Sequence, residues 1–278
     1  MRTRKLSAIV ATVATTAAIA LGASACSSDK ESKAADAAPT SSLPRAGSGA
    51  ATAVLVHGAF ADSSSWDGTV AALQGAGYDA VAFAEPLRGV ANDAKALKAF
   101  IDTIDGPIVL VGHSYAGMVI SQVAAEDHDV KGLVYVAAFI PEVGESVNTL
   151  NSKYKGSELV PDNLHFAPAP GGLTDVYINA SAYATVYAGG LDKAAASIAA
   201  ATQRPIAAEA LGEAATTAAP DATPKWSIVA SEDHAVPTAI QKFMSKRAGA
   251  KVTTVASGHD VPAAQPVAVA KVIAQAAG

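Results

Sequence analysis

Three side chains far apart in the sequence have the types and surroundings that one chemistry needs. Ser114 lies in Gly112-His113-Ser114-Tyr115-Ala116-Gly117, directly after the apolar run Ile108-Val109-Leu110-Val111 and before the helix-like Met118-Val119-Ile120-Ser121-Gln122-Val123-Ala124-Ala125. A serine on so sharp a strand-to-helix turn is forced into a strained backbone, so the residues two before and two after it must be small. Here they are Gly112 and Ala116. The turn lifts the hydroxyl clear of its surroundings and sets it at a helix N-terminus, where backbone N–H groups favour developing negative charge. A hydroxyl is a poor nucleophile at neutral pH until an imidazole takes its proton, and a buried carboxylate fixes that imidazole's tautomer. His259, in Ser257-Gly258-His259-Asp260, supplies the base, and Asp233, in Ser231-Glu232-Asp233-His234, the acid.

Each role has rivals. His113 adjoins the nucleophile, but its side chain is expected to leave the turn in another direction, and His57 is read as shaping the site rather than moving protons. His234 is expected to face solvent or the segment 142–224, with His128 on the surface and His165 in that segment. Glu232 is the nearest rival acid, its ordinary reading being a solvated loop carboxylate, and Asp260 is expected to cap the closing helix. A tetrahedral intermediate also needs two preorganised N–H donors for its oxygen. One is the amide of Tyr115. The other comes from His57-Gly58-Ala59-Phe60, with Ala59 first and Phe60 as the alternative; Gly58 lets the chain turn and Trp66 packs behind it.

Parallel strands that end on one rim would bring these groups together. Short apolar runs predict strands over 52–56, 79–84, 108–111, 130–139, 225–230 and 251–256, and apolar spacing predicts helices over 66–74, 92–104, 236–248 and 262–276. Strand and helix alternate through short turns, so the fold class is α/β, a parallel sheet of about six strands covered by helices on both faces. The alternation lapses between residues 142 and 224, where prolines and paired glycines separate helical patches at 191–202 and 206–215. A structureless loop that long does not suit a compact domain, so this stretch is expected to be a helical cap inserted after the fourth strand.

With 278 residues, half of them hydrophobic, the chain can bury one sizeable core, expected over 51–278. A net charge of -5 offers no basic footprint for nucleic acid. The sequence carries no H-E-x-x-H, no paired C-x-x-C and no G-x-G-x-x-G opening a helix, so neither a metal nor an organic cofactor is expected. Residues 1–26 read as an export signal: Arg2, Arg4 and Lys5, then an apolar stretch, then Ala23-Ser24-Ala25 before Cys26, the single cysteine. The apolar stretch is shorter than the ~20 residues a bilayer core requires. Cys26 stands where a bacterial lipobox places its lipidated cysteine, although Ala23 replaces the commonest Leu; plain cleavage after Ala25 is the alternative. Residues 27–50, rich in Ser, Ala, Gly and Pro, read as a flexible tether holding the domain off the outer face of the cytoplasmic membrane.

The order Ser114, Asp233, His259, with His57-Gly58-Ala59-Phe60, Trp66 and the 112–117 turn, resembles the α/β-hydrolase superfamily, most of all the small capped esterases related to plant methylesterases and hydroxynitrile lyases. The resemblance covers about 52–139 and 225–276. It departs at Ala116, where a second glycine is usual, and at the start, which corresponds to what is normally the third strand. It implies a small ester substrate, cofactor-free catalysis and a covalent acyl-serine. The resemblance leaves open a hydroxynitrile-lyase-like or perhydrolase reaction on the same three residues, for which Lys153, Lys155 and Lys193 are the cap lysines. A non-catalytic ligand binder is the remaining reading. Tyr115, Phe60, Phe139, Tyr154, Tyr183 and Tyr187 are the aromatic candidates for an apolar acyl pocket. No sequence feature fixes the oligomeric state.

Overall fold

A computed structural model describes residues 43–127 and 129–278. The expected signal, Cys26 and the tether up to residue 42 lie outside the described residues, as does His128. Among the described residues the strands are β1 (Thr52–Val56), β2 (Ala80–Phe83), β3 (Ile108–His113), β4 (Val130–Val136), β5 (Leu164–Pro168), β6 (Thr174–Ile178), β7 (Ile206–Ala207), β8 (Lys225–Ala230) and β9 (Lys251–Val255). Six of them form one parallel sheet in the order β2-β1-β3-β4-β8-β9.

The sheet is covered on both faces, which is why its central strand is a continuous apolar run rather than an alternating one. All six residues of β3 are buried. Leu110 joins a core with α2 (Val90–Ile101), α3 (Ala116–Glu126) and α8 (Thr238–Arg247); Val109 and Val111 point the other way, to Leu73 of α1 (Asp67–Gly75) and Ile273 of α10 (Pro266–Ala277). Register aligns the carboxyl ends: Val56 pairs with Gly112, Gly112 with Tyr135, Val136 with Ile228 and Ala230 with Val255. The loops after β1, β3, β8 and β9 therefore open on one rim.

Three expectations need correction. Residues 43–50 are not free tether: Leu43 is buried against the α1 and α10 face, and the Ala46 amide donates to Ala76 O at 3.1 Å. The single apolar side chain of that leucine is hard to see in a Ser- and Ala-rich tract. The closing helix is two, α9 (Val261–Ala264) and α10, because Pro266 disfavours a helical Gln265. The insertion between β4 and β8 is not purely helical. It holds α4 (Val147–Asn151), α5 (Ala180–Val186), α6 (Lys193–Thr202) and α7 (Ala208–Gly212), together with an antiparallel sheet in the order β5-β6-β7. The stretch expected to be helical from residue 206 starts as β7. Ile206 and Ala207 pair there with Val176 and Asp175 of β6, and the Gln203 amide continues the sheet pairing by bonding both the N–H and the C=O of Ile178 at 2.9 Å.

The insertion is tied to the core at its margins. Arg88 pairs with Asp175 at 2.5 Å, and the Glu213 carboxylate accepts the Val90 and Ala91 amides at the start of α2 at 2.7 and 3.0 Å. Near the sheet's other side, Arg247 of α8 pairs with Glu145 at 2.6 Å.

Candidate active site

Ser114 has φ +55°, the strained backbone expected of a residue thrust out at a strand-to-helix turn. Its neighbours are small because the backbones touch. A Cβ on Gly112 would stand 2.9 Å from Ile120 Cδ1 and 3.0 Å from the Ala116 carbonyl, and one on Gly117 would stand 2.0 Å from the Phe139 oxygen. The serine is only 6 % exposed, beneath the cap.

The rim brings the three predicted residues into one chain of hydrogen bonds. Ser114 Oγ lies 2.7 Å from His259 Nε2, and His259 Nδ1 lies 2.7 Å from Asp233 Oδ2. The acid is held in turn: Asp233 Oδ1 accepts the Ala235 and Val236 amides at 2.8 Å each, and Oδ2 accepts Gln241 Nε2 at 2.7 Å. Sequence reasoning missed Gln241. Its signal is a polar residue on the buried face of α8, between Ile240 and Met244. Glu232, the rival acid, is exposed, while His234 is exposed and paired with Glu158 at 2.9 Å. Asp260 is buried at the N-cap position of α9 as expected, where the Ala263 amide favours its charged form without closing a well-aligned capping bond.

The two remaining histidines near the serine position backbone. His113 Nε2–H donates to the His259 carbonyl at 2.9 Å, and the two rings lie 4.8 Å apart. Burial holds the His113 imidazole well below its ordinary pKa, and the charges of His259 and His57 add to the effect. His57 Nε2 accepts the Glu85 amide at 3.0 Å, so the proton sits on Nδ1, which donates to Gly58 O at 2.9 Å. Burial lowers this imidazole to about 4 and keeps it neutral.

That bond fixes the peptide group whose N–H belongs to Ala59. Among the described residues, neither the Ala59 nor the Tyr115 amide has an acceptor. Phe60 drops out as a donor, because its amide is bonded to Arg204 O in the cap at 3.0 Å. Gly58 lies so close to the serine that a Cβ there would be 2.7 Å from Ser114 Cβ. The cap holds the next two carbonyls of this loop: Tyr187 donates to Ala59 O at 3.0 Å and Tyr183 to Phe60 O at 2.6 Å. Tyr187 also stands edge-on to His259, ring centres 4.9 Å apart. Both phenol hydroxyls are thus committed to this loop. Tyr154 is exposed and leans on Phe243, away from the serine's loop contacts.

Of the cap lysines, Lys153 pairs with Glu145 at 2.9 Å, and Lys155 and Lys193 are exposed; the ring nitrogens of His259 bond Ser114 and Asp233 instead. Among the described residues no group of three or more His, Cys, Asp or Glu could hold a metal ion.

Comparison with known proteins agrees with the fold. The model of the alpha/beta hydrolase family matches residues 53–272. A Phoma sp. protein named a probable hydrolase is 32% identical over 139 residues, 42% of this chain and 57% of the relative. A carbendazim hydrolyzing esterase of Nocardioides sp. is 34% identical over 113 residues, 36% of this chain and 47% of the relative. The chain thus spans about half the length of the curated relatives it matches. The crystal structure of an Arabidopsis methylesterase superposes with a TM-score of 0.69 at 14% identity, covering 81% of this chain and 98% of that one, a likeness of fold.

Proposed function

The chain belongs to the alpha/beta hydrolase family, and from that membership we propose that it hydrolyses small carboxylic esters through an acyl-serine. Ser114 Oγ attacks the ester carbonyl as His259 Nε2 takes its proton, and Asp233 holds the imidazole in the Nδ1–H tautomer and stabilises its charged form. The developing oxyanion is received by the Ala59 and Tyr115 amides, which lie in a water-poor site and need no reorientation. His259 then protonates the departing alkoxide, and the alcohol leaves. In the second half a water, deprotonated by His259, attacks the acyl carbon, and collapse of that intermediate returns the proton to Ser114 and frees the acid.

The observation that carries this reading is the unbroken path Ser114–His259–Asp233, 2.7 Å at each link, beside two amides without acceptors. A fluorophosphonate probe should label Ser114, and Ser114→Ala should lose both labelling and turnover of p-nitrophenyl esters. Labelling that survives in the variant would place the nucleophile elsewhere, and labelling without turnover of any ester would leave a binder. The N-terminal sequence supports export with Cys26 lipidated; Cys26→Ser should then move the protein from the membrane fraction to the medium.

A further inference from the structure

A cavity of about 330 Å³ lies between α6 of the cap and the turn that follows the Ala59 loop. One wall is aliphatic, made by Leu191, Ala195, Ile198 and Ala199, and the other end holds Asp62 and Asp260. The two carboxyl groups differ. Asp62 Oδ1 accepts the amide and the hydroxyl of Ser64, at 2.8 and 2.6 Å. Asp260 is 2 % exposed, and its Oδ1 has no hydrogen-bond partner. Buried polar atoms are nearly always bonded, and an orphan on a carboxyl group is costly because the charge has lost its water as well.

No lysine or arginine lines the cavity among the described residues, and the adjacent His259 is committed to Ser114 and Asp233. Burial pushes Asp260 up to about 6 against the opposing influence of His259 and the Ala263 amide, with the Asp62 charge adding to the rise, which leaves it mostly ionised above neutrality. The arrangement is an apolar slot bordered by a desolvated carboxylate, Asp260, and by a second one, Asp62, that is half-buried and bonded to Ser64. We propose that this cavity is a binding site, separate from the catalytic serine, for a small hydrophobic ammonium compound whose N–H groups bond Asp260 and whose hydrocarbon part lies along α6. A carboxylate ligand would meet two like charges, and a neutral alcohol would supply one uncharged donor where a charge-assisted bond is available.

The site touches the catalytic apparatus at two points. Tyr183 lines it and holds Phe60 O, and Asp260 directly follows the base. Occupancy is therefore expected to alter ester turnover without competing with substrate.

The test is calorimetric titration with 2-phenylethylammonium, against 2-phenylethanol and 3-phenylpropionate, on the active protein and on protein whose serine has been capped by a fluorophosphonate. The ammonium compound should bind both forms, roughly tenfold or more tighter than the alcohol, with the carboxylate weakest. Asp260→Asn should lower its affinity at least tenfold. Ala199→Trp, which fills the slot from α6 and leaves the carboxyl groups in place, should remove binding while thermal melting stays cooperative. Equal binding of the alcohol, no binding to the active protein, loss of binding on capping the serine, or full affinity in a folded Ala199→Trp protein would each overturn the proposal. None of these readouts requires ester hydrolysis, so the site stands or falls apart from the reaction assigned to Ser114.

Discussion

His57 Nδ1 donates to the carbonyl of Gly58, its immediate neighbour, at 2.9 Å, and so locks the peptide plane whose other end is the Ala59 N–H. A neutral imidazole therefore sets the direction of a donor that it never touches. Replacing it with His57→Leu should leave the serine free to be labelled but lower kcat by roughly 10- to 100-fold with a smaller change in KM, as expected for weakening one oxyanion donor. Steady-state kinetics on a p-nitrophenyl ester separate the two constants. An unchanged kcat would mean that the loop holds its shape without the ring.

The same imidazole makes stability depend on acid. Its pKa falls from 6.5 to about 4 on folding. Between those values the unfolded chain binds a proton that the folded chain refuses, so stability drops as pH falls from about 6.5 toward 4, by on the order of 3 kcal/mol from this group when the drop is complete. His57→Gln, which does not titrate, should lose less melting temperature than the native protein between pH 7 and pH 5. Equal losses would assign the acid sensitivity to other groups.

Asp233→Asn should lower kcat by about 10⁴-fold, because the amide can present its N–H to the ring and favour the wrong tautomer. His259→Ala should abolish activity, while His234→Ala, altering an exposed partner of Glu158, should keep most of it. A reversal of the two histidine results would identify the wrong base.

Tyr187→Phe removes one hydroxyl and keeps the ring against His259. We expect a fall in kcat of about tenfold, a melting temperature within a few degrees of native, and unchanged titration of the base in the pH–rate profile. A shifted profile with normal kcat would show that the ring on the base matters more than the bond to Ala59.

Gly117→Ala tests the close approach behind the nucleophile. An added methyl 2.0 Å from the Phe139 oxygen must displace backbone, so a loss of several kcal/mol in urea unfolding, or failure to fold, is expected. Gly75→Ala, where an added Cβ meets nothing within 4 Å, should be neutral or slightly stabilising.

The core sheet and the meeting of Ser114, Asp233 and His259 on its rim were legible because they rest on local signals. Runs such as Val54-Leu55-Val56 and Ile108 to Val111 can only be strands buried on both faces, and a serine between Gly112 and Ala116 can only turn one way. The place of the cap after the fourth strand was legible, but its antiparallel sheet was not, since the β5–β6–β7 pairing and the Gln203 amide that extends it to Ile178 leave no local sequence pattern. Choosing between Ala59 and Phe60 likewise needed a distant fact, the Arg204 carbonyl that occupies the Phe60 amide. Gln241 escaped notice because a single polar residue on a helix's inner face has many ordinary explanations.

Ser114 is almost sealed from solvent, and Tyr183 and Tyr187, which hold the Phe60 and Ala59 carbonyls, belong to the segment inserted between β4 and β8. On the proposed reading, any parting of that segment to admit an ester would also release two hydrogen bonds from the loop that carries the Ala59 amide.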